Sequence, residues 1–203
     1  MPAPAGRSGG PAASGAGRPP SAAAGRRTAP GYQVARLATS YWTDPGTGAQ
    51  AVYDPAEGGE WSRPPAFPAA ASGLVSTVDD YLAFGQMLLQ GGRRGRARIL
   101  SRASVELMTT DHLTPAQKAA PGLQPGYCDS HGWGFGLAVV TRHDDLGEPP
   151  GSYGWDGRLG TSWRSGPREG LVIALMTQQA WPSPSPPAVC RDFWTSAYQA
   201  IAD

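Results

Sequence analysis

Two segments with the character of strands flank a short turn, and they constrain the fold of this chain most. Residues 161–164 and 171–177 lie on either side of the turn segment Ser165-Gly166-Pro167-Arg168-Glu169-Gly170. Strands joined by so short a connection pair antiparallel. The sequence therefore predicts a β-hairpin in this region and, with it, an antiparallel sheet.

A third strand and a closing helix are predicted on either side of the hairpin. Over 133–140 bulky residues alternate with small ones, which is the period of a strand with one heavy face. The bulky residues are Trp133, Phe135, Leu137 and Val139. Pro187 is a favourable start for a helix over 187–202, which should pack on the sheet through one apolar face. The residues of that face are Val189, Phe193, Ala197 and Ile201.

Two further helices are predicted before these strands. The segment Ser76-Thr77-Val78-Asp79 has the form of a capping box, and Gly91-Gly92 is a typical helix end. The residues at the spacing of one buried face are Val78, Tyr81, Leu82, Leu88 and Leu89. Ser101 caps a second, shorter helix that carries Val105 and Met108. This order of elements predicts an α+β fold, with an antiparallel sheet and packed helices.

The first 31 residues differ in composition from the rest of the chain. They contain small residues, prolines and arginines, with no acid and no large apolar side chain after Met1. Such a stretch cannot bury enough surface to offset the entropy of ordering it. We therefore expect a disordered arm at 1–31 and a folded region at 32–203, which begins with irregular structure and short extended pieces over 32–72. The arm lacks the apolar segment of a secretory signal, so a cytoplasmic location is the default expectation.

Composition argues against two classes of partner. The 203 residues suffice for one domain, and a formal net charge of +1 gives no electrostatic case for nucleic acid. Four arginines cluster after the first predicted helix, but no aromatic residues interleave with them. The longest apolar run, Leu171 to Met176, is far shorter than the roughly 18 residues of a membrane span. We expect neither a nucleic-acid partner nor a membrane span.

Candidate metal and redox groups are few. Cys128 and Cys190 lack the close spacing of metal-binding pairs, and the sequence leaves open whether they pair with each other. His112, His131 and His143 are scattered along the chain, so no metal and no cofactor are expected. A Ser/His/Asp triad is assembled in space, and spacing alone leaves it open.

Several segments, taken in order, resemble a known family. They are Gly73-Leu74-Val75-Ser76-Thr77-Val78-Asp79-Asp80-Tyr81, Met87-Leu88-Leu89-Gln90-Gly91-Gly92, Arg98-Ile99-Leu100-Ser101, Glu106-Leu107-Met108-Thr109-Thr110 and Gly132-Trp133-Gly134-Phe135-Gly136-Leu137. Their order and spacing resemble those of the penicillin-recognising serine hydrolases. The class C β-lactamase-like group, which includes D-aminopeptidases, transesterases and carboxylesterases, is the most similar branch. The resemblance runs from about Ala35 to Ile201 and implies part of the β-lactamase/transpeptidase-like fold.

Three motifs form the active site in that family. A Ser-x-x-Lys supplies the nucleophile and its activating lysine, a Tyr-x-Asn or Tyr-x-Ser adds a second base, and a Lys-x-Gly or variant on an edge strand completes the site. The first two are absent here. Lys118 is the only lysine and Pro115 stands three residues before it, while the chain has no asparagine and no Tyr-x-Ser. The family places both motifs before the region that this chain resembles.

The third motif is present in a variant form. Tyr153-Gly154-Trp155-Asp156-Gly157-Arg158 stands where the family places this motif, and Trp155 replaces the usual Lys or His. The replacement resembles the Trp-Gly-Gly of some esterase-like members. The resemblance implies that Trp155, Asp156 and Gly157 line the substrate cleft and that the backbone N–H of Arg158 is an oxyanion donor. The other interpretation of Trp155 is a strand aromatic beside a tight turn.

Together these features predict the C-terminal part of a serine hydrolase. The complete relative would cleave an ester, amide or β-lactam bond of a small-molecule or peptide substrate through an acyl-enzyme. This chain alone is expected to be an inactive, truncated fragment, and its shortage of lysine and asparagine is typical of a GC-rich bacterial gene. The alternative is a non-catalytic module whose tryptophans bind a peptide or glycan. Without the strands of the family's N-terminal segment, the sheet is partly uncovered, which predicts self-association.

Overall fold

A five-stranded antiparallel sheet with helices packed against it organises the protein. The computed structural model describes residues 31–64, 73–120, 126–144 and 146–201, so the predicted arm lies outside the described residues except for its last one. The strands are β1 (Ser40–Thr43), β2 (Gln50–Asp54), β3 (Arg93–Arg94), β4 (Ala97–Arg98), β5 (His131–Trp133), β6 (Ala138–Val140), β7 (Tyr153–Gly157), β8 (Thr161–Gly166) and β9 (Leu171–Met176). The α-helices are α1 (Val78–Leu89), α2 (Arg102–Met108), α3 (Pro115–Ala119), α4 (Tyr127–Ser130) and α5 (Ala188–Gln199), and two 3-10 helices cover Gly31–Arg36 and Glu60–Ser62. The large sheet has the order β5-β6-β7-β8-β9, and β1-β2 and β3-β4 form separate hairpins.

The predicted hairpin is confirmed as β8 and β9. They pair antiparallel from Thr161 opposite Met176 to Gly166 opposite Leu171. Gly170 closes the turn at φ +64°, a conformation that residues with a side chain rarely adopt. The turn chemistry read from the sequence therefore fixes the register of the two strands.

The single strand predicted over 133–140 is wrong, because this segment is a tight hairpin. β5 ends at Trp133, β6 begins at Ala138, and the Gly134 N–H donates to the Leu137 carbonyl at 2.8 Å. Gly136 has φ +85°, which a regular strand excludes. The small residues thus form a turn, and Phe135 lies at its tip with 59% of its surface exposed.

The helix predicted from the capping signal is confirmed as α1. The Thr77 side chain accepts a hydrogen bond from the Asp80 N–H at 3.2 Å, so Thr77 caps the helix where the sequence predicted Ser76. The predicted buried face holds at Leu88 but not at Val78, which is 41% exposed. The helix lies close to the sheet at Gly85, where a Cβ would stand 2.6 Å from Val172 Cγ1. The predicted second helix is confirmed as α2, which is capped by the Ser101 side chain.

A first apolar core lies between α1, α2 and the sheet. Its buried members are Met87, Leu88, Val105, Leu137, Val139, Tyr153 and Trp163. Trp163, only 2% exposed, is the centre of an aromatic group in which Tyr81, Phe84 and Tyr153 place their rings within 6 Å of it. This packing covers the α1 face of the sheet.

The closing helix is confirmed as α5, and its predicted packing face is confirmed in part. Phe193 and Ala197 are partly buried against the core, but the fully buried residues are Cys190, Trp194 and Tyr198. Val189 is 53% exposed and Ile201 lies beyond the helix. The buried aromatics carry polar atoms that find partners on the sheet. Trp194 Nε1 donates to Ser162 Oγ at 2.8 Å, and the Tyr198 hydroxyl lies 3.1 Å from Ser152 Oγ. The apolar side chains of the predicted face carry no polar groups that could bond the buried hydroxyls of Ser152 and Ser162.

The extended pieces predicted before α1 are confirmed as the β1–β2 hairpin. Its place is fixed by the segment that follows β9, because the Tyr41 N–H donates to the Gln178 carbonyl at 2.7 Å and the Ala180 N–H donates to the Tyr41 carbonyl at 2.6 Å. Both cysteines are free thiols, so Cys128 and Cys190 do not pair. Within the described ranges, no helix is long and apolar enough to cross a bilayer.

Candidate functional site

The third-motif residues lie on the half of β7 that β6 does not reach. β7 pairs with β8 along its whole length, from Tyr153 to Gly157, but with β6 only at Tyr153 and Gly154. β7 is therefore the middle strand of the sheet and not an edge strand, which corrects the expectation from the resemblance. On the β6 side, however, the ladder stops before Trp155. An extended ligand could lie along this stretch of backbone in the position of a missing strand.

Trp155 is a partly exposed residue beside a fully buried one. It stands opposite Trp163 in the register of β7 and β8, yet 38% of its surface is accessible, against 2% for Trp163. Its ring packs edge to face on Trp133, with 4.5 Å between ring centroids and an interplanar angle of 85°. Trp155 is therefore partly exposed, unlike the buried core residue that it faces in the register.

The side chain of Asp156 lies on the opposite face of the sheet from Trp155. Neighbouring strand residues alternate between faces, and the Asp156 carboxylate accepts two hydrogen bonds from Arg164, from Nη1 and from Nη2, at 2.8 Å each. Arg164 also forms an ion pair with Glu148, and its guanidinium lies 4.0 Å from the ring centroid of Trp194 on α5. The structure thus separates Asp156 from Trp155 and places its side chain under α5.

The buried charges around Arg164 are balanced within this cluster. Burial by itself lowers the pKa of Arg164, but the adjacent carboxylates of Glu148 and Asp156 outweigh it, and the net effect is a raised pKa. Arg164 is 8% exposed and Glu148 is also 8% exposed. The cluster fixes β7, β8 and the Glu148 loop to each other, so Asp156 is a structural residue that positions the strand on which Trp155 lies.

Gly157 and Arg158 are held in the turn from β7 to β8. A Cβ on Gly157 would stand 2.3 Å from Thr161 Oγ1, so a side chain at this position would have to displace the Thr161 hydroxyl. The Gly157 carbonyl accepts from the Gly160 N–H at 2.9 Å, and the Arg158 carbonyl accepts from the Trp181 N–H at 2.8 Å. These bonds fix the peptide between the two residues, which carries the Arg158 N–H.

The only lysine of the chain is bound to a carboxylate. Lys118 Nζ lies 2.5 Å from Asp111 Oδ2. Asp111 Oδ1 accepts two backbone hydrogen bonds of 3.0 Å, from Leu113 and from Trp133. Sequence reasoning missed Asp111 and the contact of Trp133 with Trp155, because no local spacing connects residues so far apart. The available signal was the uniqueness of Lys118.

A serine, a histidine and an aspartate do meet elsewhere, but not as a catalytic triad. Ser130 Oγ lies 2.8 Å from His131 Nδ1 and also donates to the Asp144 carboxylate. In a triad the histidine stands between the serine and the acid, whereas here the serine stands between the other two. Ser130 is also only 3% exposed. The other well-placed histidine, His112, stacks on Phe135 at 4.7 Å.

Among the residues that the structure describes, no three His, Cys, Asp or Glu side chains come together in a group that could hold a metal ion.

Comparison with known proteins decides the family. The model of the family described as Beta-lactamase matches residues 16–189. The chain belongs to the β-lactamase family. The match begins within the stretch that composition sets apart at 1–31, and it includes the whole of β7. Family membership confirms the resemblance derived from the sequence motifs.

Two curated relatives and several solved structures extend this comparison. Protein Rv1367c of Mycobacterium tuberculosis (strain ATCC 25618 / H37Rv) is 37% identical over 144 residues, which are 68% of this chain and 33% of the relative. The uncharacterized protein MT1414 of Mycobacterium tuberculosis (strain CDC 1551 / Oshkosh) gives the same values. This β-lactamase-family chain therefore spans about a third of the length of the curated relatives that it matches.

The solved structures share the fold. A variant of simvastatin synthase (LovD) from Aspergillus terreus superposes with a TM-score of 0.63 at 20% identity and covers 83% of this chain and 43% of its own. EstCE1, a hydrolase with promiscuous acyltransferase activity, superposes with a TM-score of 0.54 at 24% identity and covers 73% of this chain and 40% of its own. The predicted α+β, β-lactamase/transpeptidase-like fold is thereby confirmed.

Proposed function

We propose that this chain forms the third-motif wall of a serine hydrolase active site that cleaves an ester, amide or β-lactam bond through an acyl-enzyme. The observation that supports this most is the position of Trp155 and Gly157 on β7 beyond the last pairing with β6. There, an exposed indole lies on a stretch of strand that has no ladder partner in β6. A scissile carbonyl next to Gly157 could accept a hydrogen bond from the Arg158 N–H.

The reaction divides between this chain and a Ser-x-x-Lys segment. The serine oxygen of that segment adds to the substrate carbonyl and its proton passes to the base, giving a tetrahedral oxyanion that the Arg158 N–H stabilises. Expulsion of the leaving group, which takes up a proton, gives the acyl-enzyme, and water then releases the acid. Trp155 contributes an apolar wall for the acyl or leaving group. A small-molecule or peptide substrate fits this role.

We propose further that the chain alone does not catalyse turnover. Its sequence holds no Ser-x-x-Lys, and its one lysine forms the ion pair with Asp111. The Lys118 ammonium is engaged by this carboxylate, and Pro115, not serine, stands three residues before it. The Ser130 hydroxyl, which contacts a histidine, is buried.

The first experiment tests the chain as it is. Purified protein is incubated with a fluorophosphonate probe and with a labelled penicillin, and nitrocefin and p-nitrophenyl ester hydrolysis are followed in parallel. We expect no covalent label and no turnover above the Ser130→Ala variant. A label on the parent that Ser130→Ala removes would mean that the Ser130 cluster is a nucleophile, and the division of labour proposed above would be wrong.

The second experiment looks for the missing machinery. A shifted reading frame would explain the unusual composition of residues 1–31. The DNA before codon 32 should therefore be read in all three frames, and we expect it to encode a Ser-x-x-Lys followed by a Tyr-x-Asn or Tyr-x-Ser. When that segment is joined to this chain, the product should hydrolyse p-nitrophenyl esters or nitrocefin. A joined protein that folds, stays inactive and binds a peptide or glycan with quenching of Trp155 fluorescence would favour the non-catalytic module instead.

A further inference from the structure

Asp111 connects the only lysine of the chain to the aromatic wall on β7. It lies in the segment between α2 and α3, next to the free side of β5. A Cβ on Gly132 would stand 2.0 Å from its Cγ, so the carboxylate lies directly against the strand backbone. No charged side chain could approach the strand so closely if residue 132 carried a side chain of its own.

The segment around Asp111 holds both backbone groups of Trp133. The Trp133 N–H donates to Asp111 Oδ1 at 3.0 Å, and the Trp133 carbonyl accepts from the His112 N–H at 2.9 Å. These two bonds take the place of a neighbouring strand at the end of β5. Because the backbone is fixed on both sides, the direction in which the Trp133 side chain leaves it is fixed as well.

Lys118 binds one oxygen of the Asp111 carboxylate that holds the Trp133 backbone. Its ammonium lies 2.5 Å from Asp111 Oδ2, and the two side chains are 24% and 19% exposed. The other carboxylate oxygen is left to accept from the Leu113 and Trp133 amides. Lys118 belongs to the short helix α3, whose start is fixed by a complete capping box between Thr114 and Gln117. Through Asp111, the ion pair therefore connects α3 to the end of β5.

The indole of Trp133, whose backbone is held in this way, packs against the ring of Trp155. Its ring meets Trp155 edge to face, with centroids 4.5 Å apart, although the two residues lie on strands that are separated by β6. Aromatic rings in contact favour an edge-to-face arrangement of this kind over face-to-face stacking. Trp133 thus limits the positions that the exposed Trp155 ring can take.

We infer that Asp111, neutralised by Lys118, is a positioning residue that holds Trp133 against Trp155 and thereby fixes the shape of the cleft wall. The inference rests on the proposed function only for the meaning of the wall as a substrate contact. The positioning itself is a property of the folded chain and is measurable without substrate or turnover.

The test uses the coupling of the two indoles in far-UV circular dichroism. Two indoles in close, fixed contact give an exciton couplet, which the difference between the parent and Trp155→Phe spectra isolates from the other tryptophans. Trp133→Phe should remove the same couplet. Asp111→Asn, which keeps an oxygen acceptor but loses the ion pair, should reduce its amplitude, and Asp111→Ala should abolish it. Lys118→Met should resemble Asp111→Asn.

The matched control is Glu106→Gln, which breaks the exposed ion pair with Arg102 on α2 by the same carboxylate-to-amide change. It should leave the couplet intact. If Asp111→Ala fails to fold, Asp111→Asn and Lys118→Met decide the question, with thermal unfolding showing that both are native at the temperature of the spectra. A full couplet in folded Asp111→Asn and Lys118→Met would overturn the inference, whether or not the joined enzyme proves active. An inactive joined enzyme with Asp111-dependent coupling would instead count against the proposed function alone.

Discussion

Arg164 donates two hydrogen bonds of 2.8 Å to the Asp156 carboxylate on the side of the sheet that faces α5. The strand residue just before Asp156 is Trp155, whose ring is exposed on the other side. A motif that resembles one catalytic unit in sequence is therefore divided between two tasks. The Asp156 side chain anchors the strand in the core, and the neighbouring Trp155 ring is 38% exposed.

Removal of this anchor should destabilise the protein strongly. Asp156→Ala leaves Arg164 buried with only Glu148 as its counter-charge, and breaking a buried pair from one side costs on the order of 3 kcal/mol. Urea denaturation followed by tryptophan fluorescence measures the change in the free energy of unfolding. Glu106→Gln, which breaks an exposed ion pair on α2, should cost less than about 1 kcal/mol. Equal effects of the two substitutions would mean that Asp156 is not the anchor described here.

How much of this arrangement is predictable from sequence depends on how local its causes are. The β8–β9 hairpin and the start of α1 follow from residues inside each element, such as Gly170 in its turn and the capping side chain of Thr77. Both are predicted, although β8 runs two residues further than predicted, to Gly166, and the cap is Thr77 instead of Ser76. The buried face of α5 is predicted only in part, because its fully buried residues Trp194 and Tyr198 depend on the hydroxyls of Ser162 and Ser152, which the sheet supplies from far away in sequence.

The same reasoning explains the errors at the site. Strand alternation already separates Trp155 from Asp156, but the partner that holds Asp156 comes from β8 and from the Glu148 loop. The glycines at 134 and 136 fit equally a strand with one heavy face and a turn. The approach of the Met108 carbonyl, 1.8 Å from where a Cβ of Gly134 would be, requires glycine at residue 134, and the φ of +85° at Gly136 makes the turn. The sequence spacing shows neither of these.

Trp155 and Trp163 should respond differently to the same substitution. Trp163→Ala removes a ring that is 2% exposed and should cost roughly 3–5 kcal/mol of stability. Trp155→Ala removes a ring that is 38% exposed and should cost about 1 kcal/mol, mainly the contact with Trp133. Urea denaturation of both variants measures this. In the joined enzyme, Trp155→Ala should change the preference among p-nitrophenyl esters of different acyl length. If Trp155→Ala proves as damaging to the fold as Trp163→Ala, the indole is a core residue.

Gly157 permits a test that separates its role in the fold from its role in the cleft. Gly157→Ala places a Cβ 2.3 Å from Thr161 Oγ1 and should destabilise the hairpin by about 1–3 kcal/mol. Thr161→Ala removes that oxygen, so the double variant should regain most of the stability. In the joined enzyme, Gly157→Val with Thr161→Ala should still lose roughly 10²–10³-fold in rate, because the side chain keeps the substrate carbonyl from the Arg158 N–H. Full activity in a stable double variant would remove Gly157 from the site.

The Asp111–Lys118 pair predicts a pH dependence of stability. Burial alone raises the pKa of Asp111, but the Lys118 ammonium and the amides of Leu113 and Trp133 outweigh it, so the pKa in the folded state is lowered. A lowered pKa contributes stability that is fully present above the unfolded-state pKa of about 3.9 and is lost as the pH falls through the folded-state pKa.

Urea denaturation of the parent and of Asp111→Asn between about pH 7 and pH 3 measures this contribution. The difference in the free energy of unfolding should be largest near neutral pH and should shrink on acidification. In a Lys118→Met background the same comparison should show a smaller change with pH, because the main opposite charge is gone. A difference that does not vary with pH would contradict a role for the ionised carboxylate.

The free edge of β9 predicts self-association of the isolated chain. Leu171 to Met176 is an uninterrupted apolar strand without proline or charge, and in the described part of the sheet it has a partner only on the β8 side. Such an edge is a template for pairing with a second copy.

We expect sedimentation velocity to show dimers or larger species whose share grows with concentration. Met176→Lys, at a position that is 38% exposed, should shift the distribution towards monomer, whereas Ile99→Lys, at an exposed site beside β4, should not. A parent protein that stays monomeric at high concentration and unfolds cooperatively would contradict the self-association expected from a partly uncovered sheet.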